Sequence, residues 1–184
     1  MNNRVLSWLT GVISNPVTTF HEISREKPVG WALAVYLAGV LLVLLALDTG
    51  FLFAVFWLFF AVVGIVILAG VFHLAALLLG GRGGYTGMVC ALGFAGFLYF
   101  LIPPLYLLGV TGGIPVRLLV FAFTLLIMLW MLILYALGIK ENYQLTAGKS
   151  VVVALTPLVL AGLSGVAAIL LLLVVVAFVV ILAV

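Results

Sequence analysis

Residues 51–79 read FLFAVFWLFFAVVGIVILAGVFHLAALLL, 29 residues without one Asp, Glu, Lys or Arg. A helix needs about 20 apolar residues to cross a hydrocarbon core, and inside that core each backbone polar group must be bonded within the protein. This run exceeds the requirement, so it must tilt, protrude or bend, and Gly64 and Gly70 are positions where it can bend. Working outward, comparable runs extend over Val29 to Leu47, Thr86 to Gly109, Ile114 to Ile139 and Ser150 to Val184. Only the fourth run contains a charged residue, Arg117 near its start. Asp48-Thr49-Gly50 is too short for anything but an antiparallel hairpin between the first two runs. The last run is also longer than one crossing, and Pro157 or Ser164-Gly165 can kink it as a single helix.

Composition agrees with five crossings. Of 184 residues 68% are hydrophobic and 6% charged, and the mean hydropathy is +1.58; a soluble domain carries about 25% charged residues. The expected fold is all-α, a polytopic bundle of five transmembrane helices over residues 29–184, preceded by an amphipathic interfacial segment over residues 1–28. Cys90 is the single cysteine, which excludes an intramolecular disulfide and a cysteine-based metal cluster; within an apolar run it is expected to be a small packing residue.

Val5, Trp8, Leu9, Val12 and Ile13 recur at helical spacing, with Asn3, Arg4, Ser7 and Thr10 on the other side. That is the pattern of a helix lying in the membrane interface, and Ser7, Thr10 and Gly11 argue against a secretory signal. Asn15-Pro16 suits an N-cap followed by the first helical position, and starts a second amphipathic helix that Pro28 ends. Its apolar stripe is Val17, Phe20 and Ile23; His21, Glu22, Arg25 and Glu26 form its polar face. Trp8 and Phe20 are therefore expected to face lipid, while His21, Glu22, Arg25 and, on a later turn, Arg82 offer an accessible docking surface for a partner.

Lys and Arg in short loops stay on the cytoplasmic side. Five crossings place Arg4, Arg25, Lys27, Arg82, Lys140 and Lys149 on one side and Arg117 alone on the other. The N-terminus is thus expected inside and the C-terminus outside, with Ala177 to Val184 remaining at the membrane. The net charge of +3 is then topological, and no nucleic-acid partner is expected.

His73 is the one His, Asp, Glu, Lys or Arg deep in a run, two turns before its cytoplasmic end, which makes it the intramembrane polar candidate. No second His and no carboxylate lies within the runs, and Cys90 is the lone thiol there, so no metal or haem site is completed, no cofactor is expected and His73 reads as a neutral, hydrogen-bonded ring. Asp48 reads as a turn residue, and Arg117 as a side chain that snorkels outward. The serines lack partners for a hydrolytic triad, so no enzyme is expected.

Gly80-Gly81-Arg82-Gly83-Gly84-Tyr85-Thr86-Gly87 is the most distinctive stretch. It lacks the Gly-Lys-Ser/Thr ending of a phosphate loop and does not match GxGxxG. Gly80, Gly81, Gly83 and Gly84 are read as a tight cytoplasmic turn, and their spacing also suits close approach of two helices.

The order Asn15-Pro16-x-x-x-Phe20-x-x-Ile23, Lys27-Pro28, two spans, His73-Leu74-x-x-x-Leu78-Leu79-Gly80-Gly81-x-Gly83-x-Tyr85, then Leu92-Gly93-Phe94-Ala95 resembles the Yip family, five-span membrane proteins named as Ypt/Rab-interacting proteins. The likeness covers nearly the whole chain, and the Gly-Gly-x-Gly turn after His73-Leu74 is its most specific part. Two features depart from the family pattern: a proline common soon after the Gly-Tyr element is replaced around Phe97-Leu98, with Pro103-Pro104 later, and the long cytosolic N-terminal region of eukaryotic members is absent. For eukaryotic members the resemblance implies Rab GTPase binding, vesicle traffic and membrane shaping, so a GTPase partner rests on the resemblance alone. The short chain looks more like the prokaryotic branch, which implies a prokaryotic cytoplasmic membrane.

Two functions compete. One is a non-enzymatic adaptor, membrane-organising protein or subunit of a membrane complex, with lipids and other membrane proteins or further copies of itself as partners. The other is a channel or transporter for a small solute, which should show a midplane site of buried polar groups at helix interruptions. A water-filled cavity reaching His73 would favour transport; an apolar groove open to lipid would favour partner binding.

Overall fold

A computed structural model describes the backbone of residues 2–183 and the side chains of residues 4–165. The expectation for Ala177 to Val184 therefore lies outside the described side chains. Among the described residues eight α-helices follow one another: α1 (Asn2–Ser14), α2 (Pro16–Glu26), α3 (Val29–Ala46), α4 (Phe51–Leu78), α5 (Tyr85–Ala95), α6 (Ile102–Thr111), α7 (Ile114–Tyr143) and α8 (Ala147–Ala183), with a 3-10 segment, Gly96–Leu101, joining α5 to α6. Five stretches among the described residues are long and apolar enough to cross a membrane: α3, α4, the α5 to α6 series, α7 and Ala147–Gly165 of α8. The chain is an all-α, multi-pass membrane protein.

The third crossing is the centre of the bundle. In its most apolar stretch 56% of residues are buried by protein, against 6–22% in the other four. Small residues make this possible: at Gly93 an added Cβ would lie 2.6 Å from the carbonyl oxygen of Ala32, and at Gly96 it would lie 2.7 Å from the Tyr36 ring. Without a hydrophobic force between helices in lipid, such close backbone approach is the main source of packing. α3 accordingly lies along α5 and the 3-10 segment. The sequence predicts one span from Thr86 to Gly109 with its interruption at Pro103-Pro104. Instead the helix tightens to 3-10 geometry at Gly96 and restarts at Ile102, with Pro103 in the opening turn of α6, where a missing N–H leaves no bond unmade.

α7 runs one turn past the expected Ile139, through Lys140, Glu141, Asn142 and Tyr143, and stops at Gln144 in the left-handed conformation (φ 54°). Asp48, at φ 50°, makes the corresponding turn between α3 and α4, a conformation Asp tolerates better than most residues. At that end of the molecule Phe51, Phe56, Leu118 and Phe121 of α4 and α7 are more than half exposed, as lipid-facing side chains must be.

The two N-terminal helices differ most from expectation. Trp8, Val12, Phe20 and Ile23 are at most 5% exposed and belong to one core with Cys90, Phe94, Ala95 and Leu134. Trp8 meets Phe94 edge to face at 5.6 Å. Phe20 packs beside Gly138, whose missing side chain leaves room for Ala91 of α5, 2.8 Å from where a Cβ would lie. Trp8, Val12, Phe20 and Ile23 thus pack on α5 and α7, and Trp8 and Phe20 do not face lipid, whereas Ile13 and Val17 of the same stripes stay exposed, at 54% and 39%. Periodicity records which side of a helix is apolar; it does not record whether lipid or protein covers that side. Asn15 occupies the N-cap position of α2, yet its side chain makes no cap bond. Its carbonyl accepts hydrogen bonds from the Thr18 and Thr19 hydroxyls instead.

Candidate interaction face at one end of the bundle

Three pieces of chain meet at the end of the bundle that carries α1 and α2: the polar face of α2, the turn from Leu79 to Gly84, and the end of α7 with its link to α8. The glycine turn starts as a helix stop. Gly80 adopts φ +86°, its N–H donates to Leu77 O and that of Gly81 donates to Ala76 O at 2.9 Å, the paired bonds of a Schellman motif. The chain then runs against α7. The Arg82 N–H donates to Tyr143 O at 3.1 Å, and the Asn142 side-chain amide donates to Gly84 O at 2.9 Å. Gly83 and Gly87 lie so close to Asn142 that neither has room for a Cβ, and a Cβ on Gly81 would lie 2.9 Å from that of Tyr143. The Lys149 ammonium donates to Leu79 O at 2.9 Å and closes the end of α4. The turn therefore clamps α4, α5, α7 and α8 together at one level.

His73 belongs to the same clamp. A hydrogen bond of 2.7 Å joins its Nδ1 to the Tyr143 hydroxyl, and its ring stands edge-on to Tyr85 with centroids 5.9 Å apart. The Tyr85 hydroxyl in turn donates to Val66 O on α4 at 2.9 Å. A part-buried imidazole and two phenols thus tie α4 to the beginning of α5 and the end of α7. Among the described residues, no group of three His, Cys, Asp or Glu side chains could hold a metal ion.

Above the clamp, α1 and α2 form a hairpin bridged by Arg4 and Glu26 at 3.0 Å, both well exposed. An ion pair so open to solvent is worth no more than about 1 kcal/mol, so the hairpin is held by the buried stripe beneath it. On the outer surface His21, Glu22, Arg25 and Arg82 are all exposed. His21 Nδ1 lies 3.6 Å from Glu141, and Glu141 also pairs with Lys140 at 3.0 Å. The fold thus brings His21, Glu22, Arg25 and Arg82 to one end, buries Trp8 and Phe20 beneath them, and sets His73 deeper in the bundle.

Glu141, Asn142 and Tyr143 are the partners that the sequence reading missed. Their signal was present: residues 140–144, KENYQ, are the one dense polar run between the last two crossings. Treating it as a loop hid the fact that helix geometry aims Asn142 and Tyr143 back at the glycines.

A family model described as the Yip1 domain matches residues 10–169, from α1 into α8. The chain belongs to the Yip1 domain family. No curated protein and no solved structure matches it. The match runs through both the N-terminal hairpin and the bundle, as their shared core does.

Proposed function

We propose that this Yip1-domain protein is a non-enzymatic membrane adaptor, or a subunit of a membrane complex, whose partner-binding surface is the outer face of α2 together with Arg82. The observation that carries this reading is the burial of Trp8, Phe20 and Ile23 beneath that surface. An isolated amphipathic helix would be free to roll or detach, whereas α2 is packed on α5 and α7, which keeps His21, Glu22 and Arg25 at the same end of the bundle as Arg82. A rigid array of both signs suits recognition of a protein, since preorganisation lowers the ordering cost of binding. Family resemblance favours a membrane protein or a GTPase as that partner.

The orientation that fits is N-terminus and hairpin in the cytoplasm, because Arg4, Arg25, Lys27, Arg82, Lys140 and Lys149 share that end while Arg117 lies at the other. The alternative of a solute channel gains less support, because the grooves along the crossings have almost wholly apolar walls, as one lined by Leu68, Phe72, Leu132 and Pro157 illustrates. The test is co-purification from native membranes in mild detergent, with labelled mass spectrometry of bound proteins. Glu22→Lys with Arg25→Glu should deplete specific partners several-fold while leaving the chain in the membrane. An unchanged partner list would refute the surface.

A further inference from the structure

Two apolar cavities lie along the seam of α7 and α8 and meet at Leu132 and Ala154. One, of about 210 Å³, runs from Lys140 and Ala147 to Ala154; the other, of about 450 Å³, continues to Met128 and Leu158 and is backed by Phe72 of α4. Ile133, Val151 and Leu158 on its rim are 40%, 48% and 63% exposed, so the groove opens sideways, towards hydrocarbon in a membrane.

We propose that this groove holds one acyl chain of a glycerophospholipid from the leaflet at the Lys140 end, with the lipid phosphate against the Lys140 ammonium. Length argues for a single leaflet. From Lys140 to Met128 on α7 and from Ala147 to Leu158 on α8 the groove is about 17–18 Å long at 1.5 Å per residue, close to half of a hydrocarbon core about 30 Å thick. Its combined space falls within the roughly 300–1,000 Å³ of ordinary ligand pockets. The walls supply hydrocarbon contacts, and the charge sits at one end. The Lys140 stem lines the groove mouth and its ammonium reaches outward, as snorkelling lysines do. Its bond to Glu141 uses one of its three protons, and Lys149, bonded to Leu79 O, adds positive charge at the same end of the bundle. A second copy of the chain would fit less well, because a groove that spans about one leaflet among the described residues and is charged at one mouth matches an amphiphile of one leaflet.

The experiment uses the full chain in nanodiscs of equimolar phosphatidylcholine and phosphatidylglycerol, released for native mass spectrometry. The wild-type chain should retain one phospholipid, with phosphatidylglycerol enriched several-fold. Lys140→Gln should abolish the enrichment, and Val151→Trp, a change on the exposed rim, should abolish retention. Photolabelling of the wild-type chain by phosphatidylglycerol with a diazirine in its chain gives a readout independent of any variant's folding: adducts should concentrate on Leu132, Val151 and Leu158. Adducts spread equally over Phe56 and Phe121, a wild-type chain that retains no lipid, retention unaffected in folded Val151→Trp, or a lipid-free dimer would each overturn the proposal.

Discussion

Replacing Gly83 with Ala tests the clamp where it is tightest. A Cβ there would run into the backbone of Asn142, and backbone within α7 cannot turn aside as a flexible side chain can. The turn must lift, which breaks the bond from the Arg82 N–H to Tyr143 O and the one from Asn142 to Gly84 O. Two hydrogen bonds at about 0.5–1.5 kcal/mol each, with about 1–3 kcal/mol for overpacking, give a destabilisation of about 2–6 kcal/mol. Two other glycines calibrate the result. Gly148 has open space around its Cβ position, so Gly148→Ala should be neutral or slightly stabilising, as Ala is the better helix former. Gly80 also has space but holds φ +86°, so Gly80→Ala should cost about 1–2 kcal/mol of left-handed strain. Steric-trap unfolding in bilayer-like discs should therefore rank Gly148→Ala, Gly80→Ala and Gly83→Ala in order of rising damage. A Gly83→Ala protein as stable as Gly148→Ala would refute the clamp.

Phe20→Ala should cost about 3–5 kcal/mol, the usual range for emptying a buried aromatic site; because α2 is peripheral, the loss should appear as faster amide exchange across α1 and α2 with the five crossings still protected, and unchanged exchange would contradict the docking of the hairpin. His73→Gln should preserve folding, since the amide can still bond to Tyr143, whereas His73→Leu leaves the Tyr143 hydroxyl alone; a cycle of His73→Leu and Tyr143→Phe should give a coupling of about 0.5–3 kcal/mol, and strict additivity would argue against the bond. Single cysteines at Thr49 and Arg82 in a Cys90→Ala background should react with impermeant reagents from opposite sides, Thr49 from outside and Arg82 from the cytoplasm; labelling of both from one side would break the five-crossing topology.

The crossings were legible because hydrocarbon imposes a length and excludes charge, two constraints a sequence displays openly. The Asp48-Thr49-Gly50 hairpin and the glycine stop after α4 were legible for a similar reason, since few residues tolerate the backbone conformations they need. What faces what was not legible. In lipid the protein interior and the solvent are equally apolar, so nothing in the pattern of Trp8, Phe20 and Ile23 separates burial against α5 and α7 from burial in the bilayer. The 3-10 break at Gly96 was hidden likewise, because it sits where Tyr36 of α3 lies against that glycine, a contact between distant parts of the chain. His73 could be singled out as the lone polar group of its run, but its partner, 70 residues on, could not be read from either segment alone.

The most direct test of the adaptor reading is site-specific photocrosslinking in native membranes, with a photoreactive amino acid at Glu22 on the proposed surface or at Phe121 on the exposed face of α7. The account predicts a discrete protein adduct from position 22, lost when Arg25→Glu is added, and only lipid or diffuse products from position 121. Discrete protein adducts from position 121 and none from position 22 would contradict it, and would move the partner surface into the membrane.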